Sequence, residues 1–196
     1  WKIKQQRDQF FKKSKTLGYR SRASFKLIEL NKKYKFLNRN TNLLDLGSFP
    51  GGWSQVASQI IKEGKIMSID IKNMKPIKDV RFFKGDILSN ETKFSVINYF
   101  KFNLDVILSD MAADTTGNKS LDSIRTNQLC ADVINFSKET LKPKGVLVSK
   151  IFMGEDFLEV KNLAKSTFNK VNFFKPESSR KESKETYLHC EILKSL

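Results

Sequence analysis

Residues 42–55 read NLLDLGSFPGGWSQ, and this segment combines three features of a nucleotide-binding βα unit. An apolar run ends at Asp45, three glycines follow within the six residues 47–52, and an amphipathic segment begins at Trp53. Strand, glycine turn and helix in this order let the backbone approach a ligand closely. The segment therefore predicts a ligand site over the end of the first strand of an α/β fold.

The glycine turn lacks the two common phosphate-binding patterns. It has no GxxxxGK[ST] lysine, and Gly47 and Gly51 are four residues apart with Pro50 between them, which is not the GxGxxG spacing. An acidic strand end and a Pro-Gly-Gly turn suit a ligand with little or no phosphate, such as S-adenosylmethionine (SAM). The N–H groups at the start of the following helix could bind the SAM carboxylate. The alternative is a glycine turn without a ligand.

Composition limits the class of protein. The chain has 196 residues, of which 39% are apolar and 29% are charged, so we expect one globular domain with a sizeable core. No apolar run approaches the ~18 residues of a membrane helix. Cys130, Cys190 and a single His predict neither a metal cluster nor a disulfide framework. A reducing compartment is expected, either the mitochondrion or the nucleus and cytoplasm. A start at Trp1 without Met is compatible with a targeting segment upstream.

Positive charge is concentrated at one end of the sequence. The net charge is +15, and residues 1–40 hold 13 Lys or Arg against Asp8 and Glu29. Aromatic residues are interleaved with these cations, a pattern that favours a nucleic-acid partner over a merely solvated basic face. We expect residues 1–40 to be a basic helical extension of the domain formed by residues 41–196.

Strand and helix patterns alternate along the rest of the chain. Strands are predicted at 42–46, 65–70, 80–86, 104–110, 145–152, 170–175 and 186–193. Helices are predicted at 21–34 (capped by Ser21 or Ser24), 53–63, 91–102, 123–141 and 156–168. Alternation of this kind indicates a parallel sheet with right-handed crossovers. No helix separates the last two strands, so we expect the last strand to be antiparallel.

Four acidic residues are predicted at strand ends. They are Asp45, Asp70, Asp86 and Asp110. In such sheets ligands bind at the carboxyl ends of the strands, and Asp70 follows Gly47 at about the offset at which an acid meets a ribose hydroxyl. Asp also favours loop starts, but four such acids aligned with the glycine turn indicate a shared ligand site.

Five segments carry a family resemblance. They are YRSRASFKL (19–27), DLGSFPGGWSQ (45–55), SDMA (109–112), KIFMGE (150–155) and PESSRKESKETY (176–187). Together they resemble the FtsJ/RlmE family of SAM-dependent RNA ribose 2′-O-methyltransferases, and the first and last look closest to its large-subunit ribosomal RNA branch, including mitochondrial members. The resemblance implies a Rossmann-like class I methyltransferase fold, a seven-stranded mostly parallel sheet with helices on both faces. It also implies SAM as cofactor and a ribosomal RNA uridine as substrate, in free RNA or in a large-subunit particle, for a monomeric enzyme.

The resemblance also implies site residues. The catalytic tetrad falls on Lys26, Asp110, Lys150 and Glu185, with Lys150 as proton acceptor. Together with the glycine turn, it gives as cofactor contacts Gly47, Pro50, Gly51, Gly52, Trp53, Asp70, Asp86 and Asp110. The basic end beside Lys26 gives as RNA contacts Lys12, Lys13, Lys15, Arg20 and Arg22. The chain departs from the family pattern at Ser48-Phe49 and at Ala113, and Phe49 is expected to affect SAM affinity.

Several alternatives accompany this interpretation. A tRNA anticodon-loop ribose and an mRNA cap ribose would use related tetrads, although a cap enzyme needs an additional aromatic pocket. A noncatalytic RNA-binding assembly factor and a nicotinamide dehydrogenase are alternatives of other classes. His189 is expected to be a packing or surface residue, Cys130 to be helix core, and Trp53 to be core or pocket wall.

Overall fold

A seven-stranded sheet forms the centre of the structure, which is a computed structural model that describes residues 8–194. The strands are β1 Leu43–Leu46, β2 Ile66–Asp70, β3 Val80–Lys84, β4 Leu104–Ser109, β5 Leu141–Phe152, β6 Phe168–Phe174 and β7 Glu185–Leu193. The helices are α1 Gln9–Thr16, α2 Ala23–Tyr34, α3 Gly52–Ile60, α4 Asn90–Phe100, α5 Lys119–Thr140 and α6 Phe157–Thr167. Residues 1–7 of the predicted basic extension lie outside the described residues.

The strand order confirms the predicted fold class. The order is β3-β2-β1-β4-β5-β7-β6, with parallel pairing from β3 to β5. β7 is antiparallel to both β5 and β6, between which it lies. The order reverses between β1 and β4, which is where ligands bind in sheets of this kind. The topology therefore places a site at the carboxyl ends of β1 and β4.

Apolar side chains cover both faces of the sheet. One core contains Val96, Val133 and Val160 from α4, α5 and α6, packed on strand residues such as Leu44. The other contains Leu27 from α2 and Trp53 and Val56 from α3, packed on strand residues such as Leu43. Because successive strand residues point to opposite faces, neighbouring leucines in β1 belong to different cores. The predicted placement of helices on both faces is confirmed.

Two helix starts differ from the predictions by more than one residue, those of α2 and α5. α5 begins at Lys119 instead of 123, because the side chain of Asn118 accepts the N–H groups of Ser120 and Leu121 and caps the helix earlier. The expected serine cap of α2 is wrong. No side chain caps that helix, and the Ser24 hydroxyl instead donates to the Gly52 carbonyl at 3.1 Å. A hydrogen bond between α2 and α3 therefore occupies the side chain that was expected to cap α2.

Among residues 8–194, no helix is both long enough and apolar enough to cross a membrane.

Candidate active site

The glycine turn is held rigidly between β1 and α3. The N–H groups of Gly47 and Ser48 both donate to the carbonyl of Ile69 on β2, at 2.9 and 3.1 Å. Gly51 has a φ of 105°, a conformation that other residues rarely adopt, and its N–H donates to the Ser48 carbonyl. The Phe49 N–H donates to the carboxylate of Asp70 at 2.8 Å. These bonds fix the turn against the ends of the first two strands.

A cleft of about 600 Å³ opens at the carboxyl ends of β1 to β4. Its volume lies in the usual range for small-ligand sites. Four of the predicted cofactor contacts line it, namely Gly47, Asp70, Asp86 and Asp110. Apolar side chains form much of the remaining wall, including Phe49, Ile71, Ile87 and Leu129. The cleft thus combines the carboxylates of Asp70, Asp86, Asp110 and Asp114 with apolar surfaces suited to a flat ring.

The other four predicted cofactor residues lie beside the cleft and hold α2 in place. Trp53 is buried, and its indole N–H donates to the carbonyl of Ala23 at 2.8 Å. The carbonyl of Gly52 accepts the Ser24 hydroxyl, and that of Pro50 accepts the Arg20 guanidinium. Gly51 precedes the first residue of α3. This part of the turn braces the helix that carries Lys26.

Some residues that line the cleft were not predicted. Met111 follows β4, and Arg125, Gln128 and Leu129 come from one side of α5. A Cβ at Gly47 would collide with the side chain of Met111, so that glycine allows the two loops to meet. The sequence shows an amphipathic helix at α5, but nothing in its pattern distinguishes cleft-lining residues from other partly exposed ones.

The prediction that Asp45 belongs to the strand-end acids is wrong. Asp45 lies within β1 and is buried, and its carboxylate accepts the hydroxyl of Ser54 on α3 at 2.5 Å. Burial raises the pKa of Asp45 to about 7, against the effect of the hydrogen bond from Ser54. The hydrogen bond to Ser54 shows that the Asp45 side chain points to α3 and away from the cleft. Strand side chains alternate between the two faces of a sheet, which explains this direction.

The residues that line the cleft could bind several parts of SAM. The two carboxylate oxygens of Asp70 are held in place by the N–H groups of Phe49 and Lys72, at 2.8 and 2.7 Å. A carboxylate at this strand end is placed to accept ribose hydroxyls. Asp86 is likewise oriented by the Leu88 N–H at 3.0 Å, beside apolar walls that could cover an adenine ring. Arg125 offers a cation to a carboxylate.

The structure brings the four tetrad positions together at one edge of this cleft. Lys26 Nζ lies 2.9 Å from Glu185 Oε1 and 3.9 Å from Asp110 Oδ1. Lys150 Nζ lies 2.9 Å from the same Asp110 Oδ1 and donates to the Asp110 carbonyl at 2.7 Å. Both lysines are buried. Two cations and two anions therefore share one largely desolvated cluster that includes a residue of the cleft wall.

Strand register explains how distant parts of the sequence meet. Ser109 pairs with Ser149 in the parallel β4–β5 ladder, so the next residues, Asp110 and Lys150, are neighbours. In the antiparallel β5–β7 ladder Lys150 pairs with Tyr187, and Phe152 pairs with Glu185. An antiparallel strand presents its first residues where parallel strands present their last ones. Hence β7 supplies Glu185 to the same edge.

Electrostatics keep both carboxylates ionised. Burial disfavours the charged form of Asp110, but the charges of Lys150 and Lys26 outweigh burial and lower its pKa. Burial likewise opposes ionisation of Glu185, and the charges of Lys26 and Lys150 outweigh burial and lower the pKa of that carboxyl group. Tyr187 is fully buried and donates its hydroxyl to Asp110 at 2.5 Å. Burial, followed by the charges of Asp110 and Glu185, raises the Tyr187 pKa well above its ordinary value, so it remains a donor.

This geometry leaves one hydrogen-bonding position of the Lys150 amine available to a hydroxyl. An ammonium has three N–H donors, and Asp110 accepts two of them through its carbonyl and its carboxylate. The remaining position can meet a substrate hydroxyl beside the cleft. Lys26 and Glu185 form a neighbouring ion pair, and Lys26 Nζ lies 3.9 Å from the same carboxylate oxygen of Asp110.

The predicted RNA contacts fall into two groups. Lys12, Lys13 and Lys15 are exposed on α1. The guanidinium of Arg20 instead donates to the carbonyls of Lys75 and Pro76, at 2.6 Å each. Arg22 likewise pairs with Asp8 and donates to the Ser178 carbonyl. In this structure the lysines face solvent, while the arginines join segments of the protein.

His189 and Cys130 are packing residues, as expected. His189 is buried and stacks on Tyr34 with ring centroids 3.8 Å apart. Burial lowers its pKa to about 4, so the ring is neutral near pH 7. Cys130 is buried in α5. Within residues 8–194, no group of three or more His, Cys, Asp or Glu side chains could hold a metal ion.

Comparison with known proteins reveals extended similarity. A family model described as FtsJ-like methyltransferase matches residues 19–192. The chain is 44% identical to ribosomal RNA large subunit methyltransferase E of Pelagibacter ubique, over 99% of this chain and 96% of that protein. It is 42% identical to the protein of the same name from Rickettsia felis, over 96% of this chain and 86% of that one.

Two solved structures share the fold. One is the crystal structure of a protein described as a ribosomal RNA methyltransferase from Plasmodium falciparum, with a TM-score of 0.79, 33% identity, and coverage of 89% of this chain and 98% of that one. The other, described as a methyltransferase from Streptococcus mutans in complex with SAH, has a TM-score of 0.55 at 14% identity and shows the fold alone. It covers 88% of this chain and 96% of that one. The chain therefore belongs to the FtsJ-like methyltransferase family and is a SAM-dependent methyltransferase.

Proposed function

We propose that the protein methylates a ribose 2′-hydroxyl of large-subunit ribosomal RNA, at a uridine. The observation that carries this proposal is the Lys26–Glu185 and Lys150–Asp110 cluster, which shares Asp110 with the cofactor cleft. A buried amine is thereby placed beside a cleft suited to a methyl donor. The printed names of the relatives from Pelagibacter and Rickettsia support ribosomal RNA as the substrate.

The proposed mechanism is an in-line displacement, in which alignment supplies much of the rate. Bound SAM would supply an electrophilic methyl carbon and would leave as S-adenosylhomocysteine (SAH) when the sulfur–carbon bond breaks. Lys150 orients the ribose hydroxyl and, in its uncharged form, accepts the proton that leaves as the oxygen–carbon bond forms. Asp110 fixes Lys150 through two contacts. Lys26 and Glu185 position the ribose and balance the charge of the cluster.

Substrate binding would use the exposed cations of α1. Lys12, Lys13 and Lys15 would contact phosphates near the target nucleotide, while Arg20 and Arg22 would order the adjoining segments and border that surface. We propose that the enzyme acts as a monomer, since one chain carries the cleft and all four side chains of the tetrad. The requirement for a 2′-hydroxyl would separate RNA from DNA.

The test is methyl mapping at nucleotide resolution. We expect total RNA from cells without the protein to lack one ribose methyl group in large-subunit ribosomal RNA. The purified protein should restore that methyl group from tritiated SAM, and a transcript with a 2′-deoxy residue at the target should not be labelled. Assays on free RNA and on large-subunit particles identify the preferred substrate. Loss of a tRNA methyl group instead would contradict the proposal.

A further inference from the structure

The loop of residues 71–79 between β2 and β3 carries three lysines that the proposed RNA contacts do not include. Its sequence is IKNMKPIKD, and Lys72, Lys75 and Lys78 are all exposed. Across the part of the chain that the structure describes, none of the three forms an ion pair with a carboxylate; the structure places Lys72 over the ring of Phe49, at 6.0 Å. Exposed cations without anionic partners attract phosphates over long distances at low salt.

The loop of residues 71–79, which we call the lysine loop, is anchored to the rest of the protein. Met74 is buried, and the Arg20 guanidinium donates to the carbonyls of Lys75 and Pro76 at 2.6 Å. The backbone N–H of Arg20 donates in turn to the side chain of Gln55 on α3, at 2.9 Å. The loop backbone is therefore fixed with its lysines directed outward, so ordering it on binding would cost little entropy.

Arg20 also joins the lysine loop to the basic helix α1. Lys15 and Arg20 are five positions apart in sequence, so their Cα atoms are at most ~18 Å apart. At its other end the lysine loop reaches the cofactor cleft, which Lys72 lines. One basic surface therefore runs from α1 past Arg20 to the edge of the cleft that Lys72 lines.

We infer that the lysine loop is a second phosphate-binding surface for the RNA substrate, acting with α1 while Arg20 serves as the brace between them. The inference rests on the proposed function, and it concerns where RNA binds. The outward lysines complement a polyphosphate backbone, and Lys72 lines the same cleft as Asp110, the partner of Lys150.

The test compares two double variants of equal charge. K75Q/K78Q removes two cations of the lysine loop that do not line the cleft, and K144Q/K165Q removes two exposed cations elsewhere. Dissociation constants for transcribed large-subunit ribosomal RNA are measured across salt concentrations with SAH present. We expect K75Q/K78Q to lower the slope of log affinity against log salt by about 1.4, and to weaken binding roughly tenfold or more near 0.1 M salt.

Controls separate this inference from the proposed function. SAM affinity by calorimetry and the thermal midpoint should be the same in both variants, because all four lysines are exposed. A slope for K75Q/K78Q equal to that of K144Q/K165Q would overturn the inference while methylation by the wild type stands. Weakened binding to particles with unchanged binding to free RNA would assign the loop to an acidic protein and overturn it too. Wild-type binding of RNA without methylation would instead contradict the proposed function alone.

Discussion

Lys150 Nζ contacts Asp110 twice, at 2.7 Å from its backbone carbonyl oxygen and at 2.9 Å from its carboxylate oxygen Oδ1. A single contact would let the long lysine side chain pivot, whereas two contacts to one residue fix the direction of the remaining position on the nitrogen. The carboxylate is held in turn by the Tyr187 hydroxyl. The amine is therefore oriented before a substrate arrives, which reduces the cost of alignment.

Replacing Lys150 should abolish most of the activity. We expect Lys150→Ala to lower kcat by about 10²- to 10⁴-fold, the usual contribution of a positioned acid or base. The measurement is single-turnover methylation with tritiated SAM, with Lys144→Ala as the matched exposed control. SAM binding should persist, because Lys150 does not line the cleft. A near wild-type rate for Lys150→Ala would remove the proposed proton acceptor.

The Lys26–Glu185 pair should behave differently when one or both partners are removed. Lys26→Met leaves the mostly buried Glu185 carboxylate without its 2.9 Å partner, which should destabilise the fold by about 3 kcal/mol. The double variant K26M/E185M leaves no uncompensated charge at this pair and should recover most of that stability. Urea unfolding measures both variants.

Activity provides the second measurement on this pair. If Lys26 and Glu185 position the ribose, K26M/E185M should remain inactive despite its recovered stability. A double variant that is both stable and active would show that the pair serves folding alone.

Asp45 should make stability depend on pH. Its folded-state pKa of about 7 lies above the ordinary value of 3.8, so the folded state binds a proton more tightly than the unfolded state. The stability from this proton is fully present below pH 4 and is lost as the pH rises through 7. Asp45→Asn carries no such proton, so its stability should decline less between pH 4 and 7. At pH 8 the variant should exceed the wild type by an amount on the order of a few kcal/mol. Parallel pH profiles in urea unfolding would contradict this assignment.

Phe49 should contribute to cofactor affinity. Its ring is half exposed, lines the cleft and lies 6.0 Å from the Lys72 ammonium nitrogen. Removing an aromatic wall exposes a bound ligand to water, so Phe49→Ala should raise the Kd for SAM by about tenfold. Calorimetry measures that constant. Phe94→Ala serves as the control, since Phe94 is exposed on α4 and does not line the cleft. Equal SAM affinities in the two variants would show that Phe49 does not cover the cofactor.

The sequence revealed more of the site's chemistry than of its geometry. Asp70 and Asp86 could be predicted because strand ends and glycine turns have local patterns, and both line the cleft. The direction of the Asp45 side chain could not be predicted. A buried strand has apolar residues on both faces, so the alternation of its residues does not show which face bears the ligand. The role of Arg20 could not be predicted either. Its guanidinium donates to the carbonyls of Lys75 and Pro76, which lie 55 and 56 positions further along the sequence. Such pairings arise from the folded topology and leave no local signal.

The position of β7 has a consequence for the order in which the enzyme becomes active. β7 lies between β5 and β6, so β6 has no neighbour in the sheet until the segment that follows it has been made. That same strand begins with Glu185 and carries Tyr187, which contacts Asp110. A growing chain can complete the glycine turn and the first five strands early, but Lys26 gains Glu185, and Asp110 gains Tyr187, only when β7 is in place. A chain that ends before β7 therefore lacks the contacts of Glu185 and Tyr187 that the proposed mechanism uses.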